Sequence, residues 1–334
     1  MSLSGKLWPA HPHPYQNELL SSWLVRLAHA NGLKVQTFCH KVFGGDWQLW
    51  VRDIDRIATE WLIKAICQHT GTKEKIAWQS TLVEYEGWLY DHRNLAGQIR
   101  WVTPLQISNR KRLGHGLAYC PQCLYEDVDP YFRLRWRLAF YTFCPDHNIL
   151  MHDRCTNCDA PVVFQRTELG KYEVSSFPAI CMCHRCGFDL RKARRVPVEA
   201  YNNDAFQWLK RAHVSADWHR PKRKPDMEHM NVLHQLCKVM ISPKRPLIFQ
   251  RYVAEKVQAP PLDIFLGRQI FESLPINKRF HILQLASWVI RRPQRRITNA
   301  WEAKAVRYID LVRDFDDAPD WYLFVSKTFN RIVK

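Results

Sequence analysis

Between Cys120 and Cys186 the chain holds four pairs of metal-ligand residues, each pair enclosing two residues. Cys120-Pro-Gln-Cys123 and Cys144-Pro-Asp-His147 are separated by 20 residues, and Cys155-Thr-Asn-Cys158 and Cys183-His-Arg-Cys186 by 24. Such a knuckle points two side chains at one ion while backbone N–H groups of its turn face the sulfurs, and two knuckles complete a tetrahedron. The spacing therefore predicts two tandem Zn2+ sites per chain. The first is made of Cys120, Cys123, Cys144 and His147, the second of Cys155, Cys158, Cys183 and Cys186. Protein ligands fill every position, so neither site keeps a place for water or substrate. Both read as structural.

Eleven cysteines in 334 residues would also suit disulfides in a secreted protein. Residues 1–33 contain no uninterrupted apolar run, so the expected setting is cytoplasmic and reducing, where knuckle spacing points to zinc. Cys181 competes with Cys183 for the last knuckle. Cys183 is preferred because Gly187 follows Cys186, where a tight turn is wanted. Cys39, Cys67 and Cys237 lie in apolar, helix-like surroundings and read as small buried hydrophobes. His115 and His152 flank the sites as bystanders.

No stretch approaches the ~20 apolar residues that cross a bilayer, so no membrane association is expected. The formal charge is +17, or +14 once seven thiolates and two Zn2+ are counted. The excess is lopsided: residues 1–186 carry 21 Lys/Arg against 17 Asp/Glu, residues 187–334 carry 28 against 15. A basic half of this kind suits a polyanion, most simply nucleic acid. The candidate contacts are Arg191, Lys192, Arg194 and Arg195; Lys222, Arg223 and Lys224; and Arg292, Arg295 and Arg296.

The expected fold is mainly α with small zinc-ribbon β elements, in three parts: a helix-turn-helix-like domain (1–115), the tandem zinc module (116–190) and a basic helical domain (191–334). Leu20, Trp23, Leu24, Leu27 and Ala28 repeat with helical period over 17–31, which Asn31-Gly32 ends. Val35, Phe38, Cys39 and Val42 mark a second short helix, stopped by Gly44-Gly45. Helix, turn and helix is the outline of a helix-turn-helix, and equally of any small α domain. Further helices are predicted over 53–70 and 73–86. Residues 131–141 are dense in aromatics and arginine and fit a strand or a helix; Arg133, Arg135 and Arg137 either face nucleic acid or stack on aromatics to brace the zinc lobes. A hairpin is predicted within 160–180. Beyond it, helices are expected over 199–214, 226–241, 246–256, 262–272, 278–291, 299–313 and 319–332, with Ile290–Ile297 as a basic loop.

Several signals occur in a fixed order: Pro12-His-Pro14-Tyr15, Glu18-Leu-Leu-Ser-Ser-Trp23-Leu-Val-Arg-Leu-Ala28, His69-Thr-Gly71, Tyr119-Cys-Pro-Gln-Cys123, Pro130-Tyr-Phe132, Trp136-Arg137 and Phe143-Cys-Pro-Asp-His147. This resembles the TniQ/TnsD family of transposon target-selection proteins over about 12–190, and only loosely beyond, at Ala318-Pro-Asp-Trp-Tyr322. The resemblance implies a helix-turn-helix, a zinc module and a helical C-terminal region, and favours helix for 131–141. It also implies a role without chemistry: marking an insertion site and recruiting the transposon's AAA+ ATPase (TnsC-like). Target sites are found either by binding attachment-site DNA or by docking, often as a homodimer, on a CRISPR effector ribonucleoprotein. The chain's length is nearer the shorter, effector-associated type, and a bacterial, nucleoid-associated location follows.

Catalysis is not expected. A two-metal nuclease needs carboxylates around paired ions, whereas Glu126, Asp127 and Asp129 sit in a turn between zinc ligands. His147, which Asp146-His147-Asn148 would offer to an HNH-type site, is used as a ligand. A transcription factor is the other rival, but the candidate reading segment 34–43 offers only Gln36 as an amide, with Lys34 and Lys41 better suited to phosphate. The N-terminal domain reads instead as a protein-binding surface rich in tryptophan: Trp47, Trp50, Trp61, Trp78 and Trp88.

Overall fold

The computed structural model describes residues 6–44, 49–91, 97–108, 111–168, 180–217, 226–242, 247–262 and 270–327. Among these the chain is mainly helical, with two small antiparallel sheets. Five helices come first: α1 (Leu20–Ala30), α2 (Val35–Phe43), α3 (Ile54–Ile57), α4 (Glu60–Thr70) and α5 (Glu74–Trp78). The pair β1 (Ile107–Ser108) and β2 (Lys111–Arg112) leads to α6 (Pro121–Glu126), then to the hairpin β3 (Phe143–Cys144) and β4 (Ile149–Leu150). The C-terminal part holds α7 (Asn203–Ser215), α8 (Met227–Met240), α9 (Ile248–Lys256), α10 (Ile276–Arg291), α11 (Pro293–Glu302), α12 (Tyr308–Val312) and α13 (Asp320–Lys327).

The apolar stripe of α1 is buried, as are Val35, Phe38 and Cys39 of α2, and Gly32 at φ +68° turns the chain between them. The predicted helix 53–70 breaks in two. Ala58 and Thr59 are extended, and the Thr59 hydroxyl accepts from the Leu62 N–H to start α4 afresh. Trp61, in the first turn of α4, is 51% exposed. The helix predicted over 73–86 is only α5, followed by a 3-10 turn at Leu82–Tyr85.

Residues 131–141 are neither long helix nor regular strand, but a 3-10 turn (Leu134–Arg137) within extended backbone. Distant partners take the main-chain groups a helix would need. Phe132 C=O accepts from Leu19 N–H (2.9 Å), Leu134 N–H donates to Asn17 (2.7 Å), Trp136 C=O accepts from Ala118 N–H (3.1 Å) and Ala139 N–H donates to Trp101 (2.7 Å). Of the hairpin predicted in 160–180, the described part is a 3-10 turn at Phe164–Arg166; its turn at Leu169-Gly170 and second arm lie outside the described residues.

In the C-terminal part α10 is buried on nearly every side and packs on α7 and α8. Its Arg279 reaches across to the Ala139 carbonyl (2.7 Å). Segment 299–313 is two helices, α11 and α12, and the loop expected at 290–297 is a single kink at Arg292. Pro293 starts α11 there, since its missing N–H and fixed φ suit the first helical position. Of 262–272, Phe271–Ser273 is a 3-10 turn and 263–269 lie outside the described residues. Among the described residues no helix is long and apolar enough to cross a membrane.

Candidate metal centres

The structure brings the eight knuckle residues into two clusters, each with its four ligand atoms within 4.8 Å of one another. At the first, Cys120 caps α6, Pro121 occupies the first helical position, and the Cys123 N–H donates to Cys120 Sγ (3.4 Å). The β3–β4 hairpin supplies Cys144 and His147. His147 Nδ1 lies 3.5, 3.4 and 3.3 Å from the sulfurs of Cys120, Cys123 and Cys144, and the sulfurs of Cys123 and Cys144 are 3.6 Å apart. A tetrahedral zinc with bonds of about 2.3 Å to sulfur and 2.0–2.1 Å to nitrogen requires edges of about 3.8 and 3.5 Å. The donor set fits that ion.

His147 is oriented from behind. Its Nε2–H donates to Glu126 Oε2 (2.8 Å), which fixes the tautomer that presents Nδ1 to the thiols. The Gln122 amide holds the other Glu126 oxygen. The sequence reading left Glu126 as an acidic residue in a turn. The available signal was its position three residues after Cys123 on a short helix, which puts both on one face.

At the second centre the Cys155 and Cys186 sulfurs are 3.6 Å apart and those of Cys158 and Cys183 3.7 Å apart. Asn157 Nδ2 donates to Cys186 Sγ (3.5 Å), drawing that exposed thiol down to about 6, while burial pushes Cys155 up to about 12. Three knuckles share one turn. The residue after the second ligand (Asn148, Asp159 or Gly187) has φ of +54°, +59° or +71°, and its N–H donates to the carbonyl of the first ligand. Cys181 stays outside the cluster; burial raises its thiol to about 11. Cys39, Cys67 and Cys237 are likewise buried apart from the clusters. His115 and His152 donate to the carbonyls of Asp159 (3.2 Å) and Arg194 (2.8 Å). Both four-residue sets are compatible with structural metal sites, with no position left for substrate.

The arginines between the first two knuckles are buried braces. Arg133 grips Asp127 with both guanidinium nitrogens (2.8 and 3.0 Å) and stacks on Tyr131 and Trp136. Arg135 bonds Asp217 (2.6 Å) at the end of α7. Arg137, 1% exposed, holds Asp53 bidentately (2.6 and 3.0 Å) and bonds the Thr103 carbonyl (2.9 Å). They tie the first metal centre to the N-terminal helices and to α7.

The basic candidates are at the surface in two of three places. Lys192, Arg194 and Arg195 are exposed, with Arg195 over the Tyr125 ring, whereas Arg191 is engaged by Asp189. Arg292 and Arg295 are exposed and Arg296 is stacked on Trp288 (4.0 Å). Lys222, Arg223 and Lys224 lie outside the described residues, as does Trp47. Trp88 is buried, Trp50 and Trp78 are half-buried, and Trp61 is exposed.

Residues 9–151 match the family model TniQ. This stretch, which contains the N-terminal helices and the whole first metal centre, is a TniQ family domain, and such a domain implies a role in target selection for transposition. Proteins of this family are accessory to transposition and generally non-catalytic. No curated protein matches the chain.

Proposed function

We propose that this chain is a target-selection adaptor in DNA transposition. It bridges an RNA-guided CRISPR effector, or attachment-site DNA, to the transposon's AAA+ ATPase. The observation that carries the reading is the TniQ domain built around a closed Cys3His centre. A saturated centre offers no reacting position but fixes surfaces rigidly for partners. In this reading two Zn2+ are bound, residues 1–115, 116–190 and 191–334 act as three parts, and the protein works as a homodimer among nucleoid-associated complexes. Exposed Trp61 on α4 supports a protein contact in the N-terminal part, since aromatic residues are enriched at interfaces. Exposed Lys192, Arg194, Arg195, Arg292 and Arg295 support backbone contact with nucleic acid in the C-terminal part. The test is reconstituted integration with the cognate transposase, ATPase and targeting complex. Omitting this chain should abolish insertion at the target while leaving transposase strand transfer on preformed ends intact. Targeted insertion that proceeds without the chain would end the proposal.

A second reading, a site-specific DNA binder, is favoured by one observation: Gln36, Thr37, His40 and Lys41 form an exposed polar face on α2. A nanomolar, sequence-specific duplex footprint by the protein alone would select it.

A further inference from the structure

The start of α3 and the stretch 98–107, which ends at β1, enclose an open cavity of about 420 Å3. No metal-ligand residue lines it. Its walls are largely aliphatic, among them Ile57, Ile99, Leu105 and Ile107, and two cations open onto it, Arg52 and Arg56. Arg52 is exposed and makes no ion pair among the described residues. Asp53, the carboxylate of the lining, is already gripped by Arg137 (2.6 and 3.0 Å). A further guanidinium backs this wall. Arg112 pairs with Ile107 across the β1–β2 ladder, so the two side chains share one face of the hairpin. Its Nη1 donates to the Val162 carbonyl (3.0 Å), its Nε is buried with no hydrogen-bond partner, and it forms no ion pair among the described residues. Burial and the neighbouring Arg137 pull Arg112 down to about 10, while burial and the neighbouring Asp53 push Asp55 up to about 6. The cavity and its backing thus hold four guanidiniums, Arg52, Arg56, Arg112 and Arg137, against the two carboxylates Asp53 and Asp55.

A surplus of cations in a cleft with apolar walls focuses its field on an anion. The walls then select what that anion is attached to, since pockets of this size are mostly apolar with a few placed polar groups. A run of nucleic-acid phosphates satisfies the arginines but leaves the aliphatic walls facing water. A polypeptide carboxylate with an apolar neighbour satisfies both. We propose that this cavity is a docking pocket for an acidic peptide segment of a protein partner. An Asp or Glu carboxylate of the partner meets Arg52 and Arg56, and the adjoining aliphatic or aromatic side chain fills the space against Ile57, Ile99 and Leu105. The inference deepens the adaptor reading by giving the chemistry of one protein contact, and rests on that reading only for what the partner does.

The test is an array of glycine-flanked dipeptides probed with the full-length zinc-loaded protein. Asp, Glu, Asn or Gln fills the first position and Leu, Ile, Phe or Gly the second. Asp and Glu peptides with an apolar second residue should retain the protein about ten-fold better than their amide isosteres and than the same acids followed by Gly. The best of them is then labelled and measured in solution by fluorescence anisotropy. Arg52→Glu should weaken it about ten-fold, and Arg52→Lys by less, because the ammonium keeps the charge without the planar fork. Arg52 is exposed, so both variants should keep the parent's circular dichroism and zinc content. Inorganic phosphate and a random-sequence duplex are added as competitors and should displace the peptide only at far higher concentration. Equal retention of acidic and amide peptides would overturn the proposal, as would an acidic preference undiminished in folded Arg52→Glu. Displacement by phosphate or duplex at concentrations matching the peptide would overturn it too, in favour of a plain anion or nucleic-acid site. The array contains no transposition component, so its failure leaves the adaptor reading standing, and targeted insertion without the chain would leave the pocket standing.

Discussion

Asn148, Asp159 and Gly187 perform the same backbone task with three different side chains. Only the glycine was legible as a turn residue in the sequence. Asn and Asp tolerate left-handed backbone well enough to stand in its place, and composition alone does not flag them. The ligands themselves were fully legible, because two-residue spacing is a local geometric demand. Their support was not: Glu126 depends on which face of α6 meets His147. Glu126→Gln should speed zinc loss to a chelator by 10- to 100-fold with the fold retained, as read by a colorimetric zinc indicator. His213 shows a different dependence on surroundings. It is fully buried, donates Nδ1–H to the Leu209 carbonyl (2.9 Å) and accepts at Nε2 from the Thr142 N–H (3.1 Å). Burial pulls its pKa down to about 3. The unfolded chain, titrating near 6.5, takes the proton first, so this contribution to stability is lost as pH falls from about 6.5 towards 3. Between pH 7 and pH 5 the loss should be about 2 kcal/mol. Urea midpoints should show it, and His213→Gln should flatten that limb relative to the parent.

Among the elements, those with caps and glycine stops were read well: α1 and α2 end at Gly32 and Gly44, and α7 begins at a capping Asn202. The failures have local and distant causes, and the clearest distant one is backbone groups claimed from outside the segment. Over 131–141 the apolar density marked a core stretch correctly, yet neither a 2- nor a 3.6-residue period describes it. Its amides and carbonyls serve Leu19, Asn17, Ala118 and Trp101. At 53–70 a threonine cap overrode an apolar pattern that looked continuous, and at 290–297 a proline that reads as a breaker instead begins a helix. The same stretch supplies an energetic prediction. Arg137→Ala leaves buried Asp55 and half-buried Asp53 without the guanidinium that bonds them and should cost about 3–5 kcal/mol, seen as a large fall in melting temperature. Arg137→Lys should recover only part, because one ammonium does not reproduce the bidentate grip. A loss of less than 1 kcal/mol for Arg137→Ala would show that these carboxylates are not held by the arginine.

Across the whole molecule, buried polar links join parts that are distant in sequence. Asp153, next to the second centre, accepts from the Ile276 N–H at the start of α10 (2.9 Å), and Glu272 accepts from the Trp101 N–H (3.0 Å) and from His234 (2.7 Å). Long-range docking of this kind leaves no trace in local periodicity, which is why the mainly α class was legible while the way its parts meet was not. The clusters lie at this junction, so metal removal should propagate. Chelation at neutral pH should expose tryptophans of both halves, visible as a red shift in intrinsic fluorescence. Two closed metal centres at this junction require a fixed stoichiometry, which native mass spectrometry of the folded protein reads directly. The predicted mass is that of the chain plus two zinc ions, falling to one in Cys155→Ser and to a different one in Cys123→Ser, each with a loosened charge-state distribution. A folded parent carrying one zinc or none would contradict it.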